Sequence, residues 1–250
     1  MSKKRLRIFA GPNGSGKSSF IKEFENTDPR HKLGVYVNAD EIEKKLKEEN
    51  VLNPSQYKIH FTTEEIQSFF QKSEFSPKKT GLSDLWKYFK IIDNELIVDK
   101  SLEINSYISA DLAEFLRQKL LESNISFSFE TVMSDERKLS FLKKAKDVGY
   151  SIYLYFFCTV DPEINKNRVD RRVEEKGHSV PAEKIEERYY RSLDNLKEAI
   201  RLSNRAFLFD TSSITYDKLL FAGVTNGDEV EVFTRDDVPT WFIKYVVDKQ

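Results

Sequence analysis

The sequence predicts an α/β fold in three layers, α/β/α, with helices on both faces of a mostly parallel five-stranded sheet. Three observations carry this. Short runs rich in β-branched and aromatic residues recur along the chain, runs with helical spacing separate them, and the first apolar run leads straight into a glycine-rich loop with a helix behind it. Strands that alternate with helices pair in parallel, since each helix returns the chain over one face of the sheet. The 250 residues read as a single domain, 1–250, with an insertion at about 51–100 and a C-terminal extension at about 213–250.

The elements follow in order. "LRIFA" (6–10) is a buried strand, and "SSFIKEFEN" behind the loop is a helix with Phe20, Ile21 and Phe24 on one side. "LGVYVN" (33–38) is the second strand and "DEIEKKLKEEN" the helix after it. Within the insertion, "FTTEEIQSFFQ" is helix-like and "KIIDNELIVD" hairpin-like. "NISFSFE" (124–130) is the third strand, "SIYLYFFCTV" (151–160) the fourth and most apolar, and "RAFLFD" (205–210) the fifth. Gly149 ends the helix "ERKLSFLKKAKDV". Asp161 and Pro162 start the next helix as N-cap and N1, and Gly177 stops it. A helix from about Ala182 carries Ile185, Tyr189, Leu193, Leu196 and Ile200 on one stripe. Residues 215–234 form a hairpin around Asn226-Gly227, and "WFIKYVVDK" is a short closing helix.

Composition narrows the function. Apolar residues make up 39% and charged residues 32%, a globular balance, and a net charge of −1 gives no argument for a nucleic-acid or membrane-surface partner. Cys158 is the single cysteine, so no intrachain disulfide forms; its apolar setting makes it a small buried residue. His31, His60 and His178 are too far apart for a zinc site, and His178 reads as a structural loop residue. No run approaches the roughly 20 apolar residues of a membrane span, and the basic start "MSKKRLRIFAG" has too short an apolar stretch for a secretory leader. The expectation is a cytoplasmic protein.

"GPNGSGKS", Gly11 to Ser18, matches G-x-x-x-x-G-K-[ST]. Glycines let successive backbone N–H groups converge on phosphate oxygens, and the helix behind adds its positive end. Gly11, Pro12, Asn13, Gly14, Ser15, Gly16, Lys17, Ser18 and Ser19 are therefore the candidate nucleotide contacts, with Pro12 at a variable position. Lys17 reaches the β- and γ-phosphates of ATP, and the Ser18 hydroxyl ligates Mg²⁺. The competing reading is a chance glycine-rich turn, which arises in roughly one chain in a hundred. The strand before the loop and the helix behind it favour phosphate.

Ligands of open α/β sheets lie beyond the carboxyl ends of the strands. Asn38 and Asp40 end the second strand, Glu130 and Thr131 the third, and Asp210 the fifth. Asp40 is either a general base for an acceptor hydroxyl or a first-turn carboxylate that satisfies helix N–H groups. Glu130 is either a metal or substrate ligand or a charge at a helix start. Asp210 either approaches a nucleotide base or forms an Asx turn. Further on, Arg168 and Arg172 share a helix face, with Arg171 pointing elsewhere. They either stabilise charge on a transferring phosphoryl group or belong to a solvated face paired with Glu174 and Glu175. Arg188 and Arg191 on the next helix, joined through "KGHSVP", complete the pattern of a helical lid.

Together, "AGPNGSGKSSF", "VNADEI", "FETVMS", "GYSIYLYFF" and "RVDRRVEEKGHSVPAEKIEERYYRSLDNL" resemble the zeta toxin family of P-loop kinases, in the family's order, over about residues 5–48 and 100–212. The resemblance implies a P-loop kinase-like fold with a helical lid and an ATP- and Mg²⁺-dependent phosphotransferase. It implies that the acceptor is the 3′-hydroxyl of the sugar in UDP-N-acetylglucosamine, and that an antitoxin protein is the partner. On the matching positions, Lys17, Asp40, Arg168 and Arg172 are the catalytic set, Asp40 as base. Ser18 and Glu130 take the metal, and Asn38, Asp40, Glu130 and Thr131 face the substrate. The third strand ends "ETVMS" where the best-known toxins have E-G-T, which changes what touches the sugar. Two other readings stay open: a kinase for a nucleoside, an antibiotic or a nucleic-acid end, and a nucleotide-binding regulatory module without transfer.

Overall fold

The structure, a computed structural model, describes residues 4–27, 32–174, 180–213, 219–234 and 238–249. Its elements run β1 (Arg5–Ala10), α1 (Lys17–Thr27), β2 (Val35–Val37), α2 (Ala39–Glu49), β3 (Val51–Leu52), α3 (Thr63–Lys72), α4 (Phe75–Thr80), β4 (Phe89–Ile92), β5 (Glu95–Val98), α5 (Ser106–Glu122) and β6 (Phe127–Thr131). They continue α6 (Arg137–Asp147), β7 (Ser151–Cys158), α7 (Pro162–Glu174), α8 (Ala182–Asp194), α9 (Leu196–Leu202), β8 (Arg205–Asp210), β9 (Leu219–Thr225), β10 (Glu229–Val232) and α10 (Thr240–Phe242). The chain divides into two compact units, Met1–Leu33 with Ser128–Gln250, and Gly34–Phe127.

In the first unit the hydrogen-bonded strand order is β10-β9-β8-β7-β1-β6. β1 lies parallel to β7, Arg5 opposite Ser151 through Ala10 opposite Phe156. β7 lies parallel to β8, Tyr153 opposite Arg205 through Cys158 opposite Asp210. Nearly every residue of β1 and β7 is buried, which is why both read as unbroken apolar runs. β1, β7 and β8 thus end side by side at Ala10, Cys158 and Asp210. The five strands expected from the sequence all form, as β1, β2, β6, β7 and β8.

The sheet holds more strands than expected, because the C-terminal hairpin joins it. β9 pairs antiparallel with β8, and its buried Phe221, Ala222 and Val224 cover the edge that β8 would otherwise leave open. Asn226 (φ 53°) and Gly227 (φ 88°) turn the chain into β10, as Asn-Gly predicts. Residues 215–218 of the expected hairpin, and Gly177 and His178 with their calls, lie outside the described residues.

An aromatic layer fastens α1 to the sheet. Phe24 meets Phe9 edge-on at 5.2 Å, and Phe20 lies 4.9 Å from Phe157 and 5.1 Å from Phe209. Phe157 and Phe209 stack at 4.6 Å, and Phe9 stacks on Tyr155 at 5.1 Å. The i, i+4 spacing of Phe20 and Phe24 puts both rings on one face of α1, which sets where its first residue, Lys17, stands.

Caps behave as read. Asp161 Oδ1 accepts the Glu163 N–H at 2.8 Å ahead of Pro162. Gly149 (φ 84°) closes α6, with the Tyr150 N–H donating to Ala145 O at 3.0 Å. The single helix expected from Ala182 is two: α8 ends at Asp194, and the chain resumes as α9 beyond the buried Asn195. Asn195 is a weak helix former whose side-chain amide donates instead to Met133 O at 2.9 Å. The apolar stripe survives the break, with Ile185, Tyr189, Leu193, Leu196 and Ile200 all buried.

The second unit holds β2, α2 and a small antiparallel sheet, β3-β5-β4. The expected hairpin is β4–β5, turned by Asp93 (φ 50°) and Asn94 (φ 64°). The expected helix is α3, started by a capping box in which Thr62 and Glu65 satisfy each other's backbone N–H groups. The sequence reading has no helix over 106–122. α5 buries Ile108, Leu112, Phe115, Leu116 and Leu120, together with Asp111 and Arg117, on most of its circumference, so it lacks the single stripe that marks a surface helix. Asp111 accepts from the Ser76 N–H at 3.0 Å and the Ser76 hydroxyl at 2.6 Å, which pins the start of α4. No helix among the described residues is long and apolar enough to cross a membrane.

Two outcomes follow. Phe9→Ala removes a fully buried ring from the layer under α1 and should lower the unfolding free energy by about 3–5 kcal/mol, read from urea denaturation. Cys158 is fully buried, and that burial pushes its thiol up from the ordinary value. The native protein should therefore resist a thiol reagent that labels it once unfolded in denaturant.

Candidate active site

Gly11 leaves β1 at φ 140°, and a Cβ there would stand 2.0 Å from Phe157 O. Gly14, at φ 74°, would place a Cβ 2.6 Å from Asn165 O. The loop therefore lies against β7 and α7 so closely that only glycine fits at both points. The Ser15 N–H donates to Pro12 O at 3.3 Å, and the Phe20 N–H to Gly16 O at 3.1 Å as α1 begins. The loop is thus a tight turn feeding a helix N-terminus, the geometry that gathers N–H groups around an anion.

Lys17 is buried at the head of α1, and its ammonium donates to Gly11 O and Pro12 O, both at 2.8 Å. Its Nζ is 4.0 Å from Glu130 Oε1. The Ser18 hydroxyl contacts both Glu130 carboxylate oxygens, at 3.0 and 3.2 Å. Lys17 and Ser18, consecutive at the head of α1, thus meet Glu130 of β6, 112 residues further along the chain from Ser18. Two buried polar atoms of the loop, Asn13 Oδ1 and Ser15 Oγ, make no hydrogen bond. Such atoms are costly unless a ligand meets them. A triphosphate fits this cradle, and the hard oxygens of Ser18 and Glu130 suit Mg²⁺.

Thr131 turns its hydroxyl to the Met133 N–H at 3.1 Å. Met133 is buried at φ 62°, a left-handed conformation costly for a residue with a side chain. It is held by the Ser192 hydroxyl on Val132 O at 2.7 Å and by Asn195 on Met133 O. Asp210 takes the Asx-turn role: its Oδ1 accepts the Ser212 N–H at 2.7 Å. Arg168 donates to Thr211 O at 2.6 Å and Ser213 O at 3.0 Å, so its guanidinium grips the loop after β8. Arg172 is exposed one turn further along α7. Arg191 pairs with Glu187 at 3.0 Å, one helical turn away. Lys166 bridges α7 and α8 through Glu163 and Glu186, both at 2.6 Å, and these carboxylates push its ammonium up.

In the second unit, Asn38 caps α2, its Oδ1 accepting from the Asp40 N–H at 2.8 Å and the Glu41 N–H at 3.4 Å. Its own amide donates to the Tyr36 hydroxyl at 3.1 Å. Capping therefore belongs to Asn38, and the Asp40 carboxylate stands exposed in the first turn of α2.

Sequence reasoning missed a set of buried polar residues behind the loop. Asn165 is fully buried and donates from its side chain to Asn13 O at 2.6 Å. Its Oδ1 takes the Thr159 hydroxyl. The Tyr189 hydroxyl donates to Thr159 O at 2.6 Å, and burial pushes that phenol up. The available signal was an asparagine inside a helix, a residue type that weakens a helix unless its amide is used elsewhere.

The family model described as Zeta toxin matches residues 95–235, more than half of the chain. Among solved structures, a chain in the crystal structure of AvrRxo1-ORF1:AvrRxo1-ORF2 with sulphate ions matches at TM-score 0.52 and 17% identity over 92% of this chain. The corresponding structure with ATP matches at TM-score 0.52 and 18% identity, again over 92%. This chain spans 61% of the length of each of those proteins, and at these identities the likeness is one of fold. A chain from the PezAT chromosomal toxin-antitoxin system of Streptococcus pneumoniae matches at TM-score 0.48 and 14% identity, over 88% of this chain and 71% of that one. No curated protein matches the chain.

Gly11→Ala should destabilise the fold by more than about 1 kcal/mol, since both the backbone angle and the contact with Phe157 O forbid a methyl group. Gly149→Ala, with nothing within 4 Å of the added carbon, isolates the cost of the backbone angle alone in the same denaturation measurement.

Proposed function

This chain belongs to the zeta toxin family of P-loop kinases, and on that premise we propose that it transfers the γ-phosphate of ATP to a hydroxyl of a small molecule, with the 3′-hydroxyl of UDP-N-acetylglucosamine as the leading acceptor. The observation that carries the reading is the convergence of Lys17, Ser18 and Glu130 beside a loop whose buried Ser15 Oγ and Asn13 Oδ1 make no hydrogen bond.

Each residue then has a task. The loop from Gly11 to Ser19 binds the triphosphate through backbone N–H groups at the head of α1. Lys17 turns its ammonium from the Gly11 and Pro12 carbonyls to the phosphate oxygens, where it offsets growing negative charge. The Ser18 hydroxyl and the Glu130 carboxylate hold Mg²⁺, which supplies charge neutralisation at the phosphates. Asp40 accepts the proton of the acceptor hydroxyl at its exposed carboxylate, with Asn38 fixing the helix start that carries it. Thr131, beside Glu130, contacts the acceptor. Arg172 meets the transferring charge, while Arg168 acts through the loop after β8 that it grips. Positioning and electrostatics supply most of the rate in such transfers, so each part counts. An antitoxin protein that covers this site is the partner this reading implies.

The test is a mass-spectrometric product assay with ATP, Mg²⁺ and UDP-N-acetylglucosamine. The expected outcome is a singly phosphorylated sugar nucleotide. ATP consumption only with a nucleoside, an antibiotic or a nucleic-acid end would reassign the acceptor, and ATP binding with no product from any acceptor would make the protein a nucleotide-binding module. Lys17→Ala should lower transfer by about 10²–10³-fold with the fold intact by circular dichroism. Asp40→Asn should lower kcat by about 10²–10⁴-fold and leave ATP affinity unchanged by calorimetry; undiminished kcat would remove Asp40 from the chemistry.

A further inference from the structure

We infer that Asn165 is a positioning residue that sets the phosphate-facing direction of the Gly14 N–H and ties the lid helices to the loop. The inference rests on the kinase reading above and goes beyond it. The peptide joining Asn13 to Gly14 is planar and trans, so its C=O and N–H point to opposite sides. Asn165 captures that C=O from α7 at 2.6 Å. The Gly14 N–H is thereby turned away from α7, to the side where the triphosphate lies in the proposed complex. Without the amide, this glycine-flanked peptide has little to stop it flipping, and a flip would aim a carbonyl oxygen at phosphate.

The chemistry of the position supports the assignment. The side chain at 165 must donate to Asn13 O and accept from the Thr159 hydroxyl at once. A carboxamide does both from two separate atoms, Nδ2 toward Asn13 O and Oδ1 toward Thr159; a carboxylate lacks the donor, an aliphatic chain lacks both, and a hydroxyl would have to make both bonds from one atom on a shorter side chain. Asn165 is fully buried, so water cannot take over either bond. The backbone packs as tightly as the side chain, since a Cβ on Gly14 would stand 2.6 Å from Asn165 O. Thr159 passes the connection on, because its carbonyl accepts from the buried Tyr189 hydroxyl of α8. Loop, α7, the end of β7 and α8 therefore form one hydrogen-bonded unit, and a shift of α7 or α8 is felt at Gly14.

The experiment uses the full chain and two readouts: amide hydrogen exchange of residues 11–18 without nucleotide, and ATP affinity by calorimetry. In Asn165→Ala the loop amides should exchange about tenfold faster and ATP should bind about tenfold more weakly, while exchange in β7 and β8 stays at the wild-type rate. Thr159→Val, which removes the hydroxyl that lies against the Asn165 oxygen and Asp161 O, should move both readouts in the same direction, and Thr159→Ser should restore them. If Asn165→Ala does not fold, Thr159→Val carries the test. Wild-type loop exchange or wild-type ATP affinity in either folded variant overturns the assignment. If the wild-type protein binds no ATP, the kinase reading fails instead, and loop exchange alone decides whether Asn165 holds the peptide.

Discussion

The aromatic layer between α1 and the sheet carries the rest of the first unit's organisation. Phe20 and Phe24 set α1 down on Phe9, Tyr155, Phe157 and Phe209 through ring contacts of 4.9 to 6.2 Å. A helix fastened by its apolar face has its first residue placed to within a fraction of a turn. Here that residue is Lys17, and the loop before it must span from the end of β1 to that fixed point. Packing deep in the unit thus determines where the loop's N–H groups converge. Burying each such ring contributes roughly 1.5–3 kcal/mol, so the placement is robust to changes at the surface.

The loop departs from that security in a way characteristic of binding sites. It contains glycines in conformations other residues avoid, a lysine ammonium resting on its own backbone carbonyls, and buried oxygen atoms without a partner. These arrangements cost stability in the protein alone and make sense as preparation for a polyanion. The loop after β6 shows the same character at Met133, a buried side chain on a left-handed backbone, clamped from α8 and its junction with α9. Both sites of strain flank the place where Ser18 meets Glu130.

The α7 and α8 pair has two physical characters. Its inner surface is tied down: Asn165, Thr159 and Tyr189 form buried hydrogen bonds, and Lys166 bridges α7 to α8. Its outer surface carries exposed charges, among them Arg172 and Arg191. Buried hydrogen-bonded networks rigidify, while exposed ion pairs of this kind contribute little. The arginines on α7 and α8 are thus presented on a firm base.

Much was legible from residue order. Gly11 to Ser18 announced a tight glycine-rich turn between a strand and a helix because the motif is local, eight consecutive residues. Asp161-Pro162, Gly149 and Asn226-Gly227 marked their caps and turn for the same reason, and Phe20 with Phe24 declared the buried face of α1. What stayed hidden depends on contacts remote in sequence. α5 was passed over because burial on most sides erases periodicity. Asn195 split a helix because its amide found Met133, 62 residues away. The meeting of Ser18 with Glu130 spans 112 residues, and that of Asn165 with the Asn13 carbonyl spans 152. Local chemistry determined which segments turn, cap and cradle; only the packed chain decided which side chains stand together, because a hydrogen bond between distant residues exists only after the core has brought their backbones into place.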